Sequence, residues 1–199
     1  LDEIIGDELN EKVSDRYTGQ AEWEVLISED PYTESLINYI VNKYSIGLAI
    51  LGNKNKIKGA GVVSGKLLRL LRCHILTVPL NFPSRITRIW AGTDFSQASR
   101  KALQIAEELQ KKTSASVNAV HVYNVPVHFS PYLPTDTVTP QIEKHLKEKS
   151  EKFLQKLDYS GHVDTLIIPG RDAGASENIS INAESAGSDL LIVGEKGGN

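Results

Sequence analysis

The chain has 199 residues, 40% of them hydrophobic and 24% charged, with 15 Gly, 8 Pro, one Cys, no Met and a formal charge of −3. That apolar fraction suffices for a packed core and excludes disordered, collagen-like and disulfide-scaffold readings, while apolar runs such as Leu48-Ala49-Ile50-Leu51 fall far short of the roughly 20 residues that span a bilayer. The near-balanced charge argues against a global nucleic-acid footprint, and a lone Cys73 allows no internal disulfide, which fits a reducing, cytoplasmic setting without membrane attachment.

In chain order, Leu1 to Tyr17 places Ile4, Ile5, Leu9 and Val13 on i, i+4 rows and predicts a half-buried helix. Trp23 to Ile27 reads as a short strand, Pro31 to Tyr44 as a helix, and Ile46 to Leu51 as a nearly continuous apolar strand ending at Gly52. A helix over Gly61 to Arg72 and a strand over Ile75 to Val78 follow, before Pro79 and Pro83 break the pattern. The alternation restarts with strand Ile86 to Ala91, helix Phe95 to Lys112 and strand Val117 to Val122. Asn124 to Pro140 reads as a loop, followed by helix Gln141 to Leu157, strand Val163 to Ile168, helix Ala173 to Ala186 and strand Asp189 to Val193. Apolar strands alternating with helices predict a doubly wound, Rossmann-like parallel α/β sheet.

The units repeat. Leu48-Ala-Ile-Leu-Gly52 matches Leu190-Leu-Ile-Val-Gly194 at an offset of 142, and Val25-Leu-Ile27 matches Leu166-Ile-Ile168 at 141. The reading is two tandem copies, both incomplete: residues 1–80 form the back part of one, and residues 85–199 form a second that lacks its last helix and strand. Average usage would place on the order of four Met in this length; their absence, with Leu1 as the first residue, is expected of a window onto a longer chain or of a sequence with methionine positions omitted.

Ligands of an open parallel sheet bind outside the carboxyl ends of its strands. The strand exits Gly92-Thr93-Asp94, Val122-Tyr123, Pro169-Gly170 and Gly194-Glu195-Lys196-Gly197 are therefore the candidate site. Glycines there let backbone N–H groups close on a ligand, and a following helix N-terminus completes an anion cradle. Asp94 can accept from a ribose hydroxyl or an adenine amino group, with Ser96 as an N-cap; the alternative is that both merely cap and turn.

The segments Ile89-Trp-Ala-Gly-Thr-Asp-Phe-Ser96, Val120-His-Val122 and Ser188-Asp-Leu-Leu-Ile-Val-Gly-Glu-Lys-Gly197 resemble the universal stress protein family, and Ile46 to Gly52, Gly61 to Arg69 and Cys73 to Pro79 supply a matching tail in the first copy. The resemblance implies a five-stranded α/β domain that pairs with another copy and, in one branch, binds ATP through a motif matched here by Asp94, Val122, Gly194 and Gly197. It points to Gly92, Thr93, Asp94, Val122, Gly194, Lys196 and Gly197 as nucleotide-binding residues, with Mg²⁺ entering only with the nucleotide. The first copy departs from the motif at Asn55 and Val62, so its site is altered. Its Lys54, Lys56 and Lys58 could attract an anion or form a solvated loop.

Other constellations are weaker. Gly59-Ala-Gly-Val-Val-Ser64 begins too far from its strand for a dinucleotide turn, and Leu67 stands where a Walker A motif needs Ser or Thr. The histidines (His74, His121, His128, His145, His162) have no metal-ligand spacing, His121 reads as a hydrogen-bonded core or rim residue, and no nucleophile elbow is present. The expected function is regulatory binding of ATP in a stress response, with slow hydrolysis at most. The alternative is a ligand-free module that dimerises, and in either case the partners are a second domain or copy and a further protein.

Overall fold

The computed structural model describes residues 2–29, 31–53, 61–124, 135–170 and 174–195. It divides into two units, Leu1–Asn81 and Phe82–Asn199.

The first unit runs α1 (Asp2–Ser14), α2 (Thr33–Lys43), β1 (Leu48–Asn53), α3 (Gly61–Leu70) and β2 (His74–Pro79). β1 and β2 pair in parallel from Leu48 opposite His74 to Asn53 opposite Pro79. The period of two along β1 sends Ala49 and Leu51 onto a core of Val41 from α2, Leu67 from α3 and Leu71, with Ile37, Cys73 and Ile75 packed around it. Leu48 and Ile50 face the other way and are 48% and 62% exposed. Such a bare apolar face is unusual for a parallel sheet, whose strands are normally covered on both sides.

The second unit runs β3 (Arg88–Gly92), α4 (Gln97–Thr113), β4 (Ser116–Asn124), α5 (Thr135–Gln155), β5 (Val163–Gly170), α6 (Ala175–Ser185) and β6 (Leu190–Ile192). Its four strands are all parallel in the order β5-β4-β3-β6. The chain winds outward from β3 through β4 to β5, then α6 carries it back across to the far side of β3. That reversal puts helices on opposite faces. Ile89, Ala91, Val117 and Ala119 pack with Leu103 and Ala106 of α4 and Phe153 of α5, whereas Trp90 and Val120 pack with Ile179 and Ala183 of α6. At the amino ends of the strands, Asp189 Oδ2 accepts from the Thr87 N–H (2.7 Å), the Thr87 hydroxyl (2.8 Å) and the Arg88 N–H (3.0 Å), locking β6 beside β3. Those bonds, the Thr87 N–H first, hold the Asp189 carboxyl below the usual carboxylate range.

The α/β class with parallel sheets agrees with the sequence reading. The sheets among the described residues have four strands and two, and none has five. Two local expectations are corrected. Trp23 to Ile27 forms no strand; its repeat counterpart lies in β5, which is held by β4, and the described residues of the first unit contain no counterpart of β4 to complete a ladder. Residues 135–140, expected as loop, begin α5, with Pro140 inside the helix. The helix tolerates this proline close to its start because its later turns are anchored by Ser150 and Phe153, both buried. Among the described residues, no helix is long and apolar enough to cross a membrane.

Candidate functional site

The chain leaves β3 for β4 on one side, whereas β6, reached through α6, pairs with β3 on the other, so the carboxyl ends of β3 and β6 form the topological switch point where α/β sheets open a crevice. A cleft of about 230 Å³ lies there, lined by Gly92, Thr93, Asp94, Ser96 and Ser99 after β3, by Val120, His121 and Val122 of β4, by Ala175, Ser176 and Ile179 of α6, and by Val193, Gly194 and Glu195 after β6.

The turn after β3 is held by a dense set of hydrogen bonds. The Thr93 N–H donates to the Val120 carbonyl (2.8 Å) and so extends the sheet by one rung. The Thr93 hydroxyl accepts from the Phe95 N–H (3.1 Å) and contacts the Ser99 hydroxyl (3.3 Å). Asp94 Oδ1 accepts from the Ser96 N–H (2.9 Å), and Ser96 Oγ caps α4 by accepting from the Ser99 N–H (3.3 Å). Hydrogen bonding from Ser96, with Ser99 behind it, holds the Asp94 carboxyl below its ordinary range, so it is an anion at neutral pH. Asp94 and Ser96 thus do cap and turn, and Asp94 also presents an exposed carboxylate to the cleft.

Phe95 sits at φ 66°, a left-handed conformation that bulky side chains avoid at a cost of about 1–3 kcal/mol. Its ring lies 4.6 Å from the His121 ring and meets Phe153 edge to face at 5.7 Å. His121 Nδ1 lies 2.7 Å from the Thr93 carbonyl, which requires Nδ1 to carry the proton and donate.

Gly194 is sterically required, and Gly92 is closely approached by side chains. A Cβ on Gly194 would fall 2.5 Å from the Ala98 carbonyl carbon and 2.6 Å from its oxygen. One on Gly92 would fall 2.9 Å from Ile179 Cδ1 and 3.1 Å from Val193 Cγ1. These close approaches bring the loop after β6 onto the first turn of α4. The start of α6 also faces the cleft, with Gly174 at its N-cap and no side-chain cap. The charged lining residues among those described are Asp94 and Glu195, with no Lys or Arg, so the two helix N-termini and backbone N–H groups are the main source of attraction for an anion.

Of the residues expected from sequence, Gly92, Thr93, Asp94, Val122 and Gly194 meet in this one cleft. Lys196 and Gly197 lie outside the described residues, as do Lys54, Lys56 and Lys58. Gly170 is packed against Tyr123 and Asn124 instead of lining the cleft. Sequence reasoning missed His121 as a lining residue, Ser99 and the start of α6. The last was discoverable, since a helix that returns the chain across the sheet must begin at the switch point.

Residues 85–199 match the family model described as the universal stress protein family. A universal stress protein from Archaeoglobus fulgidus superposes with a TM-score of 0.61 at 17% identity, covering 100% of this chain and 70% of that one. A putative universal stress protein from Pseudomonas aeruginosa gives a TM-score of 0.59 at 15% identity, covering 96% of this chain and 66% of that one. No curated protein sequence matches the chain. With more than half its length matched by the family model and the same fold in both neighbours, the chain belongs to the universal stress protein family.

Proposed function

We propose that the cleft between β3 and β6 binds ATP or a related adenine nucleotide as a regulatory ligand in a stress response. The observation that carries this reading is the meeting of Gly92, Asp94, Val122 and Gly194 at the switch point, facing the N-termini of α4 and α6. The residues fit the group. Asp94 is ionised and accepts from ribose or adenine donors, Val122 and Ile179 supply apolar contact, and the helix ends offer N–H groups to phosphate. About 230 Å³ encloses part of a nucleotide, and the remainder would extend past Gly194, where Lys196 and Gly197 follow in sequence. Mg²⁺ would enter with the phosphates. No residue in this reading is assigned a chemical step.

The test is direct. The purified protein is denatured and the supernatant analysed for nucleotide by mass spectrometry, and unfolding is followed with and without ATP. At ATP 100-fold above Kd, binding adds about 2.7 kcal/mol to stability. Asp94→Ala and Gly194→Val should abolish the shift. Absence of both released nucleotide and a shift overturns the reading.

The repeat supports a second element of the proposal, that the first unit is the back part of another copy and that its bare face is the one a helix equivalent to α4 would cover. At the offset of 142, Ile37, Val41 and Ala49 correspond to Ile179, Ala183 and Leu191, and each trio packs together. Leu48 and Ile50 correspond to Leu190 and Ile192, which pack in the α4-facing core of the second unit. The exposed pair has the chemistry of a covered pair.

A further inference from the structure

Phe95 does not line the cleft, yet it stands between residues that do. Its neighbours on either side in sequence, Asp94 and Ser96, are joined by the 2.9 Å bond that sets the carboxylate. Its own N–H is tied back to the Thr93 hydroxyl. Left-handed backbone at such a turn would ordinarily be met by glycine, asparagine or aspartate. An aromatic residue here keeps the strained geometry and adds something none of those supplies, a ring long enough to reach other elements.

Two elements receive that ring. His121 of β4 lies against it at 4.6 Å, and Phe153 of α5 meets it edge to face. The ammonium of Lys149, also on α5, sits 4.5 Å from the ring centroid. Arg100 of α4 continues the cluster, its guanidinium 5.5 Å from the Phe153 ring. His121 in turn donates to the Thr93 carbonyl, so the turn is gripped at both its side chain and its backbone by the same strand. The charged and titratable groups around the turn are therefore Asp94 within it, His121 from β4, Lys149 from α5 and Arg100 from α4.

We propose that Phe95 is a positioning residue: wedged between His121, Phe153 and Lys149, its ring holds the 93–96 turn in the left-handed geometry that presents Asp94 to the ligand. The nucleotide part of this rests on the function proposed above, while the positional part concerns the free protein. α5 thereby acts on the binding turn from behind, through Lys149 and Phe153, although neither lines the cleft.

The experiment separates the two parts. In the full chain, the Asp94 carboxyl is titrated by carbon-13 NMR in the parent, Phe95→Ala, Phe95→Tyr and Leu166→Ala, a variant in the cluster on the other face of the sheet. The parent is expected to titrate below the ordinary aspartate value of about 3.9. Phe95→Ala should return Asp94 toward that value, Phe95→Tyr should restore the parent titration, and Leu166→Ala should lower thermal stability while leaving Asp94 as in the parent. If Phe95→Ala does not fold, Phe95→Leu keeps apolar volume without an aromatic face and gives the same comparison. A parent-like Asp94 in the alanine or leucine variant, or an equal shift in Leu166→Ala, overturns the proposal. ATP affinity by calorimetry well below each melting temperature should fall about tenfold in Phe95→Ala and return in Phe95→Tyr. Unchanged affinity in an ATP-binding parent also overturns the proposal. A parent that binds no ATP removes the nucleotide reading alone, and the Asp94 titration still decides the role of Phe95.

Discussion

Gly194 approaches the backbone of Ala98 so closely that a single added carbon would overlap the carbonyl group, at 2.5 Å from carbon and 2.6 Å from oxygen. A main-chain carbonyl in the first turn of a helix cannot rotate aside. The loop after β6 must therefore lift if any side chain is placed there.

Gly194→Ala is accordingly expected to cost about 1–3 kcal/mol and to weaken ligand binding, measured by urea unfolding and by the ATP-dependent thermal shift. Gly92→Ala should be milder in stability, because its nearest obstacle is the flexible Ile179 Cδ1 at 2.9 Å. Its added methyl group still narrows the cleft. A Gly92→Ala penalty larger than that of Gly194→Ala would contradict this ordering.

Ser96→Ala removes the cap of α4, a bond of 3.3 Å to the Ser99 N–H. The expected loss is about 1 kcal/mol, with a release of Asp94 toward its ordinary titration, since Ser96 is the main group holding that carboxyl down. Asp94→Asn, which keeps an acceptor for the Ser96 N–H, should be less destabilising than Asp94→Ala. Chemical denaturation of the three variants checks the order.

Glu107 of α4 accepts from the Ser160 hydroxyl and N–H, then from Lys111 at 3.0 Å, and these bonds pull its carboxyl down to about 2 from 4.5. A depressed folded value means that its contribution is complete above about 4.5 and is lost as pH falls toward 2. Glu107→Gln should therefore cost about 1 kcal/mol at pH 7, with solvent screening of the lysine pair limiting the effect. The gap between variant and parent should close as the pH is lowered through that window. A gap independent of pH would show that the loss is one of packing.

Asp189 gathers three donors from Thr87 and Arg88 at the opposite end of the β3–β6 pair. Asp189→Ala leaves two strand N–H groups without their acceptor and is expected to cost about 2 kcal/mol. Amide exchange should accelerate first at Leu190 to Ile192, the short strand this carboxylate anchors.

How much of this was readable in advance follows from the range of the forces involved. The apolar runs at Leu48, Ile89, Val117 and Leu190 announced strands because parallel strands carry apolar side chains on both faces. Asp94, Val122 and Gly194 could be read because strand exits at a switch point are local features of a repeating pattern. Trp23 to Ile27 looked equally strand-like, but a ladder needs a neighbour, and no sequence window contains that information. Pro140 argued for a loop by its local rule and was overridden by packing farther along α5. Phe95 was hidden most completely. Nothing in its identity suggests φ 66°, and its importance lies in contacts with residues 26 and 58 positions away, His121 and Phe153.

The strand order also fixes a sequence of events during synthesis. β3 finds β4 after one helix, but its other neighbour, β6, lies about a hundred residues farther along the chain. Until β6 emerges and docks, one side of β3 is an open edge, and the wall carrying Val193 and Gly194 does not exist. A nascent chain can therefore assemble β5, β4 and β3 with their helices and still lack the cleft. The cleft thus forms in a single late step, when β6 pairs with β3.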